Sequence, residues 1–403
     1  MARLAWRNLW RNRRRSLIAI ASLGCGLAAI MFGQSMIKTI QIQLIAKATG
    51  VISGHIQVVD ERVEEARFPE HYIDSTQGVE RALSAVAGIS AFEKRILVTG
   101  LVSSEANSVA VLLIGVEPGR DTRITTMHTY ISEGRNLGGG RETVLGAILA
   151  EKLKIGVGDT LVVMAQSADG SMSAENFKLT GILRTGSHTW DANVVYLALG
   201  AMQEMLGAGD RANNFVLRLQ YPERLQEVRG AVLQALKDMP VKTLDWQEVN
   251  EELVGVQRYQ NAIMTIMLVI IFLIVSLGIL NTLLMSMFER VREFGVLMAI
   301  GARPGWILRL VLTESCILGF LGATTGVCLG AVLILHFQRV GLNIPLGDTI
   351  GYFIPFDTRL FLRFQWSSHR LALAAVWITC ILSALPPALR AARLKPAEAI
   401  RRL

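Results

Sequence analysis

Glu289 and Glu293 stand four residues apart, with Arg290 and Arg292 between them, in the stretch SMFERVREFGVLMAIGARPGWIL (286–308). On a helix that spacing puts both carboxylates on one face with Arg292 beside them, while Phe288, Val291, Phe294, Leu297 and Met298 supply apolar surface. Such a segment can pair ions and dock on a protein partner; a solvated connector is the plainer alternative. The other residues able to do chemistry do not converge. His55, His71, His128 and His188 are scattered with no H-x-x-x-H or H-E-x-x-H spacing, which speaks against a metal site. The glycine run GGGRE (138–142) lacks the Lys-Ser/Thr of a phosphate-binding loop and reads as a turn, and no G-x-S-x-G nucleophile elbow occurs. An enzyme active site is therefore not expected.

The elements that must carry the charged segment follow from composition. Of 403 residues 51% are hydrophobic and only 18% charged, so part of the chain is expected to lie in lipid. Four apolar stretches, 17–37, 262–288, 315–335 and 371–389, are long enough to cross a hydrocarbon core of roughly 30 Å. All four cysteines (Cys25, Cys316, Cys328, Cys380) fall inside them, which leaves no disulfide framework, zinc site or thiol nucleophile between the first and second stretches. A long arginine-rich flank and the missing A-x-A site favour a retained anchor over a cleaved signal at the first stretch.

Basic residues set the expected orientation. Arg3, Arg7, Arg11, Arg13, Arg14 and Arg15 precede the first span, Arg290, Arg292 and Arg303 lie in the loop above, and Arg390, Arg393, Lys395, Arg401 and Arg402 follow the last span. The positive-inside rule makes all three segments, and both termini, cytoplasmic. The net charge of +8 then needs no nucleic acid. Trp6, Leu9, Trp10 and Arg13 recur at helical spacing, so residues 1–16 suit an amphipathic elbow in the headgroup layer, with Trp6, Trp10, Arg11, Arg13, Arg14 and Arg15 meeting lipid; a pure topology signal is equally compatible.

Residues 46–260 read as an α+β domain outside the membrane. Ile56 and Val58 alternate with polar neighbours as in a half-buried strand, and Val79, Leu83 and Val86 share a helix face behind an N-cap at Asp74 or Ser75. Further strands are expected over 89–102, 107–118, 193–199, 213–220 and 241–246, with a turn over 166–176, a helix over 223–238, and a helix from Trp246 running on into the second span. In the third span Gly322, Gly326 and Gly330 recur every fourth residue, a seam on which another helix backbone can pack closely. Spans this poor in polar groups do not suit an ion pore.

The segment ERVREFGVLMAIGARPGWILRLVLTES, with its E-R-x-x-E-x-G-x-L-x-A-x-G-A pattern, resembles the loop of the MacB/FtsX-like ABC permease family; PALRAARLKPAEAIRRL resembles that family's closing motif. The layout of one span, a large outer domain and three further spans is also similar, and the nearer likeness is to the lipoprotein-releasing LolC/LolE type. The resemblance implies four transmembrane helices (the first over 17–45) plus an outer domain with porter-like and inserted Sabre-like parts (about 118–212), and a permease domain over 261–403. Its cytoplasmic coupling loop would be 288–306, in which Glu289, Arg290, Arg292, Glu293, Gly295, Leu297, Gly301 and Ala302 meet a separate ABC ATPase. ATP and Mg would sit on that ATPase, since this chain shows no G-x-x-x-x-G-K-[ST] and is expected to bind no cofactor itself. A second permease chain, identical or not, lipoprotein cargo and a periplasmic carrier complete the implied partners at the inner membrane. The hairpin near 164–177 falls where the LolC hook recruits its carrier, but lacks a proline-bearing tip. Export of a peptide, antibiotic or toxin with an adaptor, and FtsX-like control of a cell-wall hydrolase, are the rival implications.

Overall fold

A computed structural model describes residues 1–11, 13–64, 71–343 and 359–394. Lys395, Arg401 and Arg402, with the end of the closing motif, lie outside the described residues. The chain forms two compact units: Met1–Gln41 with Gln257–Asn343 and Arg359–Leu403 in one, and the continuous run Ile42–Val256 in the other.

The first unit is helical. A short helix α1 (Ala2–Arg11) precedes α2 (Arg13–Lys47). The other long helices are Glu251–Glu289, Pro304–Val340 and Trp366–Ala392. Each contains one of the four apolar stretches and has the length and hydropathy of a membrane span. A helix the length of α2 rises about 50 Å, more than the roughly 30 Å of hydrocarbon, so its ends run past the apolar core. The glycine seam has its partner within the chain. A Cβ added at Gly322 would come within 2.5 Å of Leu23, at Gly326 within 2.8 Å of Leu27 and 2.9 Å of the Gly24 carbonyl, and at Gly330 within 3.2 Å of Met31. Small residues are needed there because the backbones of the third span and α2 nearly touch. The helix Glu251–Glu289 differs: only 11% of its most apolar window is buried, against 39% for each of the others.

The described residues of the second unit form ten strands. β1 (Ile56–Asp60), β9 (Asn214–Leu219), β10 (Val241–Asp245) and the first half of β2 (Ile89–Ser103) make an antiparallel sheet in the order β10-β1-β9-β2. Ile56, Val58, Phe215 and Leu217 on one face pack under α3 (Thr76–Ser84) and α8 (Leu225–Ala235). The second half of β2 joins a closed ring: β2 pairs β3 (Ser108–Val116), then β8 (Val194–Ala198), β5 (Glu142–Gly146), β7 (Met172–Leu183), β6 (Thr160–Gln166) and β2 again. Ring closure leaves these six strands few free edges. Inward residues Ile96, Val102, Leu113, Leu145, Val163, Phe177 and Val195 fill it, with α5 (Ala147–Leu153) and α7 (Leu199–Met205) in the same core. The remaining strand, β4 (Ile131–Gly134), pairs the end of β7, and a short α4 (Asp121–Ile124) and α6 (His188–Asn193) complete this part.

Several details depart from the sequence reading. β1 is buried along both faces, because a π-helical turn (Ala48–Ser53) covers the polar side and Gln57 Nε2 donates to the Ser53 carbonyl at 3.0 Å. Ser75 occupies the N-cap of α3 without a side-chain cap bond. The β6–β7 turn is confined to 167–171, since pairing continues to Gln166 opposite Met172. The six-stranded ring draws on β2 and β3, ahead of the expected insert at 118. The expected run from Trp246 into the second span breaks at Asn250, not at Gly255: α9 (Trp246–Val249) opens with a capping box from Asp245 and Glu248 and ends at Asn250, and α10 (Glu251–Glu289) begins after it.

The seam gives a direct test. Gly326→Leu forces a side chain into Leu27 and the Gly24 backbone and should lower stability by about 1–3 kcal/mol, read as thermal unfolding of the purified chain in detergent. Gly278→Ala, on α10 with none of the described residues within 4 Å of the added Cβ, should cause no loss.

Candidate functional site at the 288–306 loop

α10 ends because Arg290 leaves helical geometry (φ −111°, ψ 8°), and α11 (Val291–Ala299) starts after it. Gly301, at φ +104°, closes α11: its amide donates to the Met298 carbonyl at 3.1 Å and the Ala302 amide to Leu297 at 2.9 Å. Both bonds satisfy carbonyls that a helix end leaves open, and a side chain at 301 would strain the left-handed backbone. Pro304 then opens α12 (Pro304–Val340), its missing N–H being no loss at a first helical position.

The ions explain the bend. Arg290 is 6% exposed and Glu314, on α12, 4%. The Arg290 guanidinium donates to both Glu314 oxygens at 2.8 and 3.1 Å, lies over the Phe294 ring at 4.9 Å, and reaches Glu293 at 3.2 Å. Asn8 of α1 donates to Glu314 Oε1 at 2.6 Å. One carboxylate thus ties together α1, the α10–α11 break and α12. Around this centre Arg11 pairs with Glu293 at 2.7 Å and Arg15 with Glu289 at 2.6 Å. Burial disfavours the charge on Glu293, but hydrogen bonds from Arg11 and Arg290 outweigh it and hold the carboxyl below its ordinary range. These pairs lock geometry more than they add stability, because exposed pairs are worth little. A small cavity lined by Asn8, Arg15, Ser286 and Glu314 lies beside them.

The expected docking face is partly turned inward. Val291 and Phe294 are buried against Met287, Ile307, Leu310 and Ala388, because the apolar stripe of α11 closes the core under α1; Gly295 is buried too. Phe288 stays 55% exposed and Arg292 is exposed. Glu289 and Glu293 are engaged by the elbow and do not present free carboxylates. The open surface lies instead around Ile300, 76% exposed, in a groove of about 430 Å³ lined by Leu297, Ile300, Gly301, Ala302, Arg303 and Trp306. Ile300 and Trp306 were not singled out in the sequence, and Arg303 only as a topology signal, although Arg292, Val296 and Ile300 recur at i,i+4 and mark a second face.

The elbow residues divide in the same way. Ala5 and Leu9 are buried; Leu4, Trp6 and Trp10 are exposed, with the two indole rings 5.8 Å apart, and Arg13 and Arg14 are exposed. No cluster of metal-ligating side chains occurs among the described residues. In the second unit the β6–β7 turn is not a free hook: Ser167 Oγ and the Ala168 amide both donate to the Leu206 carbonyl, at 2.5 and 2.9 Å.

Residues 16–235 match the model of the MacB-like periplasmic core domain, and residues 265–396 that of the FtsX-like permease C-terminal domain. The chain belongs to the MacB/FtsX-like permease family. It is 24% identical to the lipoprotein-releasing system transmembrane protein LolE of Haemophilus influenzae, over 98% of each chain. It is 23% identical to the lipoprotein-releasing system transmembrane protein LolC of Xylella fastidiosa, over 75% of each. It is also 29% identical to the macrolide export ATP-binding/permease protein MacB of Nitrobacter winogradskyi, over 68% of this chain and 40% of that protein. Membership makes it an ABC transporter permease, a membrane protein whose domain between the first two spans is of the periplasmic-core type. Permeases of this family work with an ATPase subunit.

The buried pair of this permease can be tested by asymmetry. Arg290→Met or Glu314→Leu alone leaves an uncompensated buried charge and should cost about 3–5 kcal/mol, while the double variant recovers much of the loss. Thermal unfolding in detergent reads both.

Proposed function

We propose that this permease is the membrane subunit of a mechanotransmission ABC transporter that releases lipoproteins from the inner membrane toward the outer membrane. Both termini and the 288–306 loop face the cytoplasm, and a separate ATPase, carrying ATP and Mg, docks on that loop. The observation that carries the reading is the end-to-end likeness to a lipoprotein-releasing transmembrane protein, over 98% of both chains. ATPase closure pushes on the Ile300 groove, and the Arg290–Glu314–Asn8 centre passes the push to α1, α10 and α12. The work is done outside, so no cargo need cross the spans. A second permease chain, identical or not, covers the bare apolar side of α10, and Trp6 and Trp10 with Arg13 and Arg14 rest on anionic lipid.

One observation favours a second reading, export with a periplasmic adaptor: the higher identity, 29%, is to a macrolide exporter. What co-purifies with the tagged chain from its native membrane decides. A lipoprotein or lipoprotein carrier supports release; an adaptor protein supports export; a cell-wall hydrolase, or no ATPase at all, overturns both.

Docking has its own test. Interface anchors are commonly worth about 2 kcal/mol or more, so Ile300→Asp should cut the recovered ATPase at least tenfold, roughly what 1.4 kcal/mol represents. Glu293→Arg disturbs the elbow as well as the surface. If its effect runs through Arg11, the double variant Arg11→Glu/Glu293→Arg restores ATPase recovery and cargo release. Failure of the swap would mean that Glu293 meets the ATPase directly.

A further inference from the structure

The polar face of the β10-β1-β9-β2 sheet holds a charge cluster unrelated to ATPase docking. Glu93 and Arg95 of β2 are 0% and 2% exposed, and Asp121 of α4 is 5% exposed. Arg95 Nε donates to Glu93 Oε1 at 2.5 Å and Arg95 Nη2 to Asp121 Oδ1 at 2.9 Å. The Thr125 hydroxyl lies 3.0 Å from each Asp121 oxygen. Asp121 is therefore well supplied with donors, whereas Glu93 Oε2 is buried with no hydrogen-bond partner among the described residues. Two carboxylates share one bonded guanidinium, so with both ionised one negative charge is poorly compensated, and a buried uncompensated charge is costly.

Among the described residues no other group bonds Glu93 Oε2. Tyr196 of β8 is buried and its hydroxyl is pushed upward by that burial, so it stays neutral. Arg218 of β9 donates to the Ile124 carbonyl at 2.9 Å, at the end of α4, and makes no bond to Glu93 Oε2. His55, beside Arg218, is held down by burial and by that guanidinium. The π-helical turn Ala48–Ser53 brings no titratable side chain. That turn is tied to α4 by the Thr126 amide, which donates to the Gly50 carbonyl at 2.9 Å.

We propose that Glu93 is a proton-binding site that sets how firmly α4, and through Thr126 the π-helical turn after α2, is held to the sheet. Burial pushes the Glu93 carboxyl up to about 8, with Arg95 opposing the rise and Asp121 adding to it. The sign follows from linkage. A carboxyl whose proton is held more tightly in the closed state gives its full stabilisation below the ordinary value of 4.5, and loses it as pH rises through about 8. The domain that carries it is of the periplasmic-core type, so the cluster would sense the medium outside the inner membrane. Acid would tighten the hold of α4 and the π-helical turn on the sheet, and alkali would loosen it.

Hydrogen exchange of the full chain in detergent tests this, with protection corrected for the intrinsic pH dependence of exchange. The reporters are the Thr125 amide, bonded to Asp121 O, and the Thr126 amide, bonded to Gly50 O. From pH 6 to 8 their protection should fall by up to about tenfold per pH unit, the limit for one proton, and level off above. Glu93→Gln should abolish the slope. Asp121→Asn, which leaves Arg95 to Glu93 alone, should move the midpoint down by at least about one unit. Protection that is flat in the native chain, or an unchanged slope in Glu93→Gln, overturns the proposal. Should Glu93→Gln fail to fold, an unmoved midpoint in Asp121→Asn does the same.

Discussion

A guanidinium with only 8% of its side chain exposed has to find its counter-charge inside the protein, and the helical unit is arranged around that requirement. Arg290 finds Glu314, and Glu314 uses its remaining capacity on Asn8. Because the charge sits where α10 ends, the pair fixes a bend that no proline or glycine imposes. Because Asn8 belongs to α1, the same pair holds the amino-terminal helix against α12. A shift of α11 would have to carry the guanidinium with it or leave a buried charge unpaired. That cost is what would make the loop a lever and not a hinge.

Around this centre, polar and apolar surfaces are used in opposite senses. The inward stripe of α11 closes the core, and the carboxylates on its flank are taken up by Arg11 and Arg15, which leaves Ile300 and its groove as the open surface. In the lipid-facing helices the packing is set by absence of side chain. Gly322, Gly326 and Gly330 let α12 approach α2 where oil and lipid offer no hydrophobic gain, so close van der Waals contact is the main source of attraction. In the second unit, a sheet polar on one face is kept buried by a π-helical turn and α4, which satisfy Gln57 and Asp121 but leave Glu93 half-partnered. A buried polar group without a full set of partners is costly in a fold unless a proton can settle the account.

Much of the architecture was legible in residue order because it depends on local pattern. Uncharged runs of about twenty residues must be spans in a chain of this composition, and Gly301 followed by Pro304 marks a helix stop and start whatever surrounds it. Strand and helix positions in the outer domain followed from periods of two and 3.6. The glycine seam was legible too, although its partner was not. The seam says that a backbone comes close; only the fold says that it is α2 of the same chain.

What the tertiary structure alone decided concerns pairings between distant residues. The partners of Glu289 and Glu293, Arg15 and Arg11, could not be read from the loop itself, because they are more than 270 residues away. β1 read as half-buried because nothing in its alternation announces the turn that covers its polar face. The closed ring of six strands could not be read either, since β2 meets both β3 and β6 only once the chain has folded back on itself. Periodicity records which face of an element is apolar; it does not record what comes to lie on the other face. Sequence therefore determined the spans, the caps and the family, while the charge pairs that tie the 288–306 loop and the burial of Glu93 were decided by long-range packing.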